Sequence, residues 1–385
     1  VELTKGQNSL EVMLNSRRGG KIKVVIMGQK FLASDDDGDE ILMSYDTPCT
    51  GGSTALCNDN CPNDFNPDQA DLDGDGIGDV CDDIDGYPNI VIGEPIHVGD
   101  MPYGKMAVSL DGAYVYVSNY GSNKVSVIKT SDNTVINEID VGIMPGDVSI
   151  SPSGDYVYVS NKNDNSVSVI QTSNNTVIDT IEVGDGPFGV SVSPLGDYVY
   201  VNNYNENTLS VIQTSNNTEI ATIDVGDGPF GVSVTPNGDY VYVSNFNDDT
   251  VSVIQTSNNT EIATIDVGDG PFGVSVTPNG EYAYVSNYYI PSTVSVIRTS
   301  DNTVIHTITD VGDLSHGISV SPNGAYVYVN SFNEDKVFVI QTSNNTVIDT
   351  IEVGDGPHGG IAVSPDGKFI YVGNFSDDTV TVIGF

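Results

Sequence analysis

The chain has 385 residues, 13 Lys+Arg against 53 Asp+Glu, and a formal net charge of −40. Such a field repels nucleic-acid phosphates and anionic lipid and attracts cations and basic surfaces, so the expected partners include no nucleic acid. With 41 Gly, 18 Pro and no Trp, and no apolar run near the ~20 residues that span a bilayer, the composition reads as a soluble, turn-rich chain without a membrane span.

Residues 1–46 read as a basic β arm. Lys5, Arg17, Arg18, Lys21, Lys23 and Lys30 face only Glu2 and Glu11 over residues 1–33, a net +4, which leaves −44 for the remainder. Alternation in Leu10-Glu11-Val12-Met13-Leu14 and in Lys21-Ile22-Lys23-Val24-Val25-Ile26, with Gly19-Gly20 between, predicts a hairpin. Two strands alone are marginal in water, so the hairpin needs a further partner. A basic arm beside an acidic body predicts self-association, by strand addition to a neighbouring copy. The chain begins at Val1 with no signal-peptide h-region, which suggests a processed or trimmed chain.

Residues 47–89 read as a calcium module. In the twelve residues 71–82, carboxylates stand at Asp71, Asp73, Asp75, Asp79 and Asp82, with Gly76 at the sixth position and the Ile77 carbonyl at the seventh. Alternating side chains and one carbonyl at this spacing wrap a Ca²⁺ ion, and carboxylates so crowded repel one another without a cation. Asn60, Asn66 and Asp68 are candidates for a second ion. Asp35, Asp37, Asp39 and Asp46 form a weaker set, lacking Gly at the sixth position and an acid at the ninth. Four cysteines, Cys49, Cys57, Cys61 and Cys81, share this window, and no CxxC suggests zinc. Cysteines so grouped read as disulfides, which implies an oxidising, extracellular location; the residues alone leave three pairings open. The stretch from Asn60-Cys61-Pro62 through Asn66-Pro67-Asp68 to Cys81-Asp82 resembles a thrombospondin type 3 repeat. That resemblance implies Ca²⁺ on the aspartates and sequential pairing, Cys49–Cys57 and Cys61–Cys81.

Residues 90–385 are governed by a repeat. Tyr116-Val117-Ser118-Asn119 recurs from Tyr158, Tyr200, Tyr242, Tyr284, Tyr328 and Tyr371, with Ser331 in the Asn slot of the sixth copy. Each unit reads as four short strands. In the third copy these are Val190 to Ser193, Tyr198 to Asn202, Leu209 to Gln213 and Ile220 to Val225, separated by Gly- and Asn-rich turns. Four strands per ~40–45 residues is the spacing of a propeller blade. The last copy stops after its third strand, and the stretch from Glu94 to Asp100 aligns with a fourth. The expected fold is therefore an all-β, seven-bladed propeller closed by its N-terminal strand, around Ile96 and Val98, since an open ring leaves unpaired edges. The repeats, with Val-Gly-Asp-Gly-Pro before the first strand, resemble the YVTN-repeat β-propellers of prokaryotic surface-layer proteins.

Candidate chemistry is sparse. Sequons at Asn174, Asn216, Asn258 and Asn344 fall on equivalent turns, and Asn374 begins another, so glycosylation is a possibility beside plain turn chemistry. Of the four histidines, His97, His306, His316 and His358, the last two align with Tyr103, Phe188, Phe230 and Phe272 at the channel mouth. No nucleophile elbow, zinc-protease helix or phosphate loop appears. The resulting expectation is an exported, non-enzymatic, calcium-stabilised surface protein, a subunit of a surface layer or extracellular filament. The alternatives are a glycan- or protein-binding module and a lactonase- or dehydrogenase-type propeller, for which His316 and His358 are the foothold.

Overall fold

The computed structural model describes residues 87–385 and three N-terminal strands, Leu3–Gly6, Ser9–Asn15 and Lys21–Met27. The three strands form an antiparallel sheet in chain order, with Thr4 opposite Glu11 and Leu14 opposite Ile22. The hairpin thus gains a third strand, the additional pairing that two strands alone require. Both calcium candidates in 60–82, the weaker set at Asp35, Asp37, Asp39 and Asp46, and all four cysteines lie outside the described residues.

Residues 88–384 form a separate compact unit of seven antiparallel sheets with no α-helix among the described residues. Blade three is representative: Pro187–Val192, Tyr198–Asn203, Thr208–Gln213 and Thr218–Asp224 pair in chain order. Its inner strand starts three residues before the sequence suggested. Pro187 needs no N–H partner as a first strand residue, and a register shift between Pro187 and Val190 carries the pairing onward.

The ring closes as expected, with one refinement. Thr379–Gly384, the third strand of blade seven, pairs with Ile96–His97 through Val380 opposite Ile96. It also pairs with Ile90–Val91, through Ile383 opposite Val91. The closing strand is therefore two short pieces, separated by a turn in which Gly93 takes φ +71°.

Every position of the Tyr-Val-Xaa-Asn repeat has a physical task. The tyrosines and valines fill the seams between blades: Tyr158, Val167 and Val169 of blade two pack with Val190, Val199 and Val201 of blade three. A buried phenol needs a partner. Tyr242 and Tyr284 donate at 2.8 Å to Asn302 and Asn345, turn residues of the following blades that hold φ near +55°. In blades two to six the Xaa side chain ties one blade to the next. Asn202 Nδ2 donates to the Phe230 carbonyl at 3.0 Å and Ser244 Oγ to that of Phe272 at 2.6 Å. The final Asn ties strands within a blade: Asn203 Nδ2 donates to Thr208 and Ser210 at 2.9 and 2.8 Å. In blade six the Asn slot holds Ser331, and the strand-three hydroxyl it would have bonded is replaced by Phe338. Donor and acceptor are lost together, leaving neither orphaned.

Candidate functional site: aromatic rings over the central channel

The residue after the Pro or Ser that opens each inner segment stands toward the ring axis, and its identity decides what closes the channel. Six side chains form a closed cycle: Tyr103, Phe188, Phe230, Phe272, His316 and His358. Successive ring centroids are 5.1, 4.2, 3.9, 4.7 and 3.7 Å apart, and His358 returns to Tyr103 at 4.0 Å. Blade two contributes none, because Gly146 stands in that position.

A second aromatic set surrounds the first. The residue after each repeat is Tyr120, Tyr204, Phe246, Tyr288, Phe332 or Phe375, all half-exposed, with Lys162 in blade two as the single non-aromatic member. This collar packs on the inner cycle, for example Tyr288 on His316 at 4.9 Å and Phe375 on Tyr103 at 5.7 Å. Lys162 Nζ lies 5.4 Å from the Tyr204 centroid and 5.9 Å from that of Phe188, and burial against these rings lowers its pKa.

Burial sets the protonation of the inner cycle. His316, 2% exposed, is pushed down to about 3 by desolvation. His358 falls well below the usual imidazole range, through burial first and the neighbouring His316 second. Both are neutral near pH 7. His358 Nδ1 accepts from the Gly359 N–H at 3.1 Å, which leaves the ring proton on Nε2. His316 Nδ1 is buried without a hydrogen-bond partner. Tyr103 stays a phenol, its pKa raised mainly by burial.

Beneath the cycle the channel narrows where most blades carry glycine. A Cβ on Gly231 would lie 2.5 Å from the Phe272 carbonyl oxygen of the next blade. Blade two inverts the pattern: Phe-Gly becomes Gly146-Asp147. Asp147, 9% exposed, accepts from the Lys105 backbone N–H at 2.8 Å and from the Val190 N–H, bridging blades one, two and three. Desolvation pushes its pKa up to about 6, against the opposing pull of those bonds and of the Lys105 charge. Lys105 sits on an extra residue in the inner segment of blade one; blade seven has the same insertion, filled by Gly360. Burial lowers its amine pKa, with Asp147 opposing. Lys105, Asp147, Phe230 and Phe272 line a cavity of about 30 Å³, room for a water or two.

Of the residues singled out from sequence, His316 and His358 meet in one stacked pair. His97 lies on the closing strand and His306 on the outer strand of blade five, both exposed and outside the cycle. Asn174, Asn216, Asn258 and Asn344 are exposed on third-to-fourth strand turns. Asn374 is a correction: it is fully buried and its Nδ2 bonds Thr379 and Thr381 at 2.9 Å, so the folded ring presents no amide there for a glycan. Asp147, Lys105 and Lys162 escaped sequence reading. Their signal was a break in the repeat: a Gly-Asp inversion, one extra residue between Pro102 and Ser109, and a lysine among aromatics.

A family model described as lactonase, 7-bladed beta-propeller, matches residues 97–185 and 177–385. No curated protein matches the chain. Among solved structures, Kuenenia stuttgartiensis hydrazine synthase shares the fold, with a TM-score of 0.69 and 23% identity over 75% of this chain and 97% of that one. The match carries the seven-bladed propeller; it does not extend to the surface-layer or thrombospondin resemblances. The non-enzymatic expectation does not stand against a match to a family described by an enzyme activity. The chain belongs to the lactonase family of seven-bladed β-propellers.

Proposed function

We propose that this chain is an enzyme-type propeller that hydrolyses a cyclic ester on its aromatic face. The observation that carries this reading is the His316–His358 pair, two neutral imidazoles stacked at 3.7 Å within an otherwise hydrocarbon and phenol cycle. In this role His358 Nε2–H polarises the ester carbonyl and the collar holds the ring of the substrate by its flat apolar face. Water adds to the carbonyl carbon, the ring C–O bond breaks, and the product is the open hydroxy acid. Neutral imidazole suits this buried position because its N–H donates a hydrogen bond without the cost of desolvating a charge.

The test is proton release from a panel of five- and six-membered lactones by the full chain, with His358→Phe as comparison. Turnover above background that falls about a hundredfold in the variant supports the reading. No turnover across the panel, or turnover that the variant retains, overturns it.

The setting of this activity rests on sequence. The 71–82 spacing supports a bound Ca²⁺ in the connector, the cysteine window supports an extracellular location, and the +4/−44 charge split supports self-association through the arm, as in a surface layer or filament. Calcium titration of the full chain by calorimetry, repeated on Asp73→Ala, tests the first of these; heat unchanged by the substitution removes the loop as the site.

A further inference from the structure

We infer that the collar face binds a small organic cation, an alkyl- or quaternary-ammonium compound. Three observations converge. The collar offers half-exposed aromatic faces from six of seven blades, extended by Tyr289 at 49% exposure, whose ring lies 5.5 Å from that of Phe246. Such faces carry negative quadrupole potential and attract ammonium groups.

The chain's own ammonium already sits on this surface. Lys162 Nζ lies over Tyr204 and Phe188. The ion pairs among the described residues are Lys124–Glu138, Lys129–Asp132 and Arg298–Asp301, so no described carboxylate holds Lys162 there. In a chain of net charge −40, an amine that rests on rings instead of on an acid shows what the rings accept.

The loops that carry the collar also carry acids. Glu206 accepts from the Asp185 N–H at 3.0 Å, Asp248 from that of Asp227 at 2.6 Å and Asp377 from that of Asp355 at 2.7 Å. Asp355 is raised by the neighbouring Asp335 and Asp377, a sign of negative charge in excess. An anion meets this rim as a barrier and a neutral ligand gains nothing from it. A cation with an apolar body is drawn in by the rim and held by the rings.

The inference shares a face with the hydrolytic reading but is read out as binding without turnover. The experiment is calorimetric titration of the full chain with choline and with its neutral isostere 3,3-dimethylbutan-1-ol. Choline should bind roughly fivefold or more tightly, and more weakly as salt rises. Tyr288→Ala and Phe332→Ala, checked for folding by circular dichroism, should each weaken it several-fold. Lys162→Met vacates the Tyr204 and Phe188 faces and should strengthen it. Equal affinity for the two ligands, no binding of either, or choline binding unmoved by the collar substitutions overturns the inference. A protein that binds choline and hydrolyses no lactone keeps this inference and loses the other.

Discussion

Blades three to five and the seam from blade seven through blade two are built from one repeat, yet they differ in what holds them together. In blades three to five the Xaa side chain reaches the next inner carbonyl, as Asn202 and Ser244 do. At the seam the Xaa slot holds Gly373, which has no side chain to reach with, and Ser118, whose buried hydroxyl has no partner. There the linkage is made by Asp147, bonded to the backbones of blades one and three, and by the closing strand. Where the repeat is regular, side chains serve the ring. Where it breaks, charge appears inside the channel and the stabilising contacts pass to residues with no counterpart elsewhere.

The largest way to break this comparison is at the closure. Ile96 is buried against Val380 and Tyr371 of blade seven. Ile96→Asp places a carboxylate in that core and should cost about 4 kcal/mol or more, read by urea denaturation; a loss under about 1 kcal/mol would show that the ring does not depend on its closing strand.

The next effect is pH-dependent. Asp147 has a folded pKa of about 6 against about 3.9 unfolded, so the folded state holds more protons between these values and stability falls as pH rises from 4 to 6. Up to about 3 kcal/mol is at stake. Asp147→Asn removes this titration, so its stability relative to the parent should rise between pH 4 and pH 7. A constant difference across that range would show the carboxylate to be unshifted.

Smaller effects separate regular from irregular blades. Asn203→Ala strands two hydroxyls and should cost about 2 kcal/mol, whereas Ser331→Ala strands no strand-three hydroxyl, its Oγ bonding only the Asp313 backbone at 2.7 and 3.0 Å, and should cost about 1 kcal/mol. Equal losses would deny that donor and acceptor vary together. The smallest expected change is in the pH profile of turnover: with both imidazoles already neutral, kcat/KM should not drop as pH falls from 7.5 to 5.5. A fall centred near the ordinary imidazole value of about 6.5 would mean a solvated histidine instead.

Much of the fold was legible because each blade repeats the same physical solution. Seven Tyr-Val pairs counted the blades, and a missing fourth strand at one end matched a spare one at the other. Strand starts were misjudged where proline opens the inner strand, as at Pro187, because Pro reads as turn chemistry and not as a first strand residue. The site was half legible. His316 and His358 stood out against Phe188, Phe230 and Phe272 in aligned copies, but their stacking is a property of the closed ring. Asp147 and Lys105 show in the sequence only as breaks in the repeat, an inverted Gly-Asp pair and one extra residue, and nothing in the repeat says that the two meet at the channel. Asn374 illustrates the reverse error: its sequon is legible, its burial is not.

The most direct test of the account makes the inner cycle regular. His316→Phe with His358→Phe gives two more blades the residue that blades three to five already carry, so the ring should fold with a Tm near that of the parent. The account predicts loss of lactone hydrolysis by about a hundredfold or more in that double variant; hydrolysis at the parent's rate would contradict it.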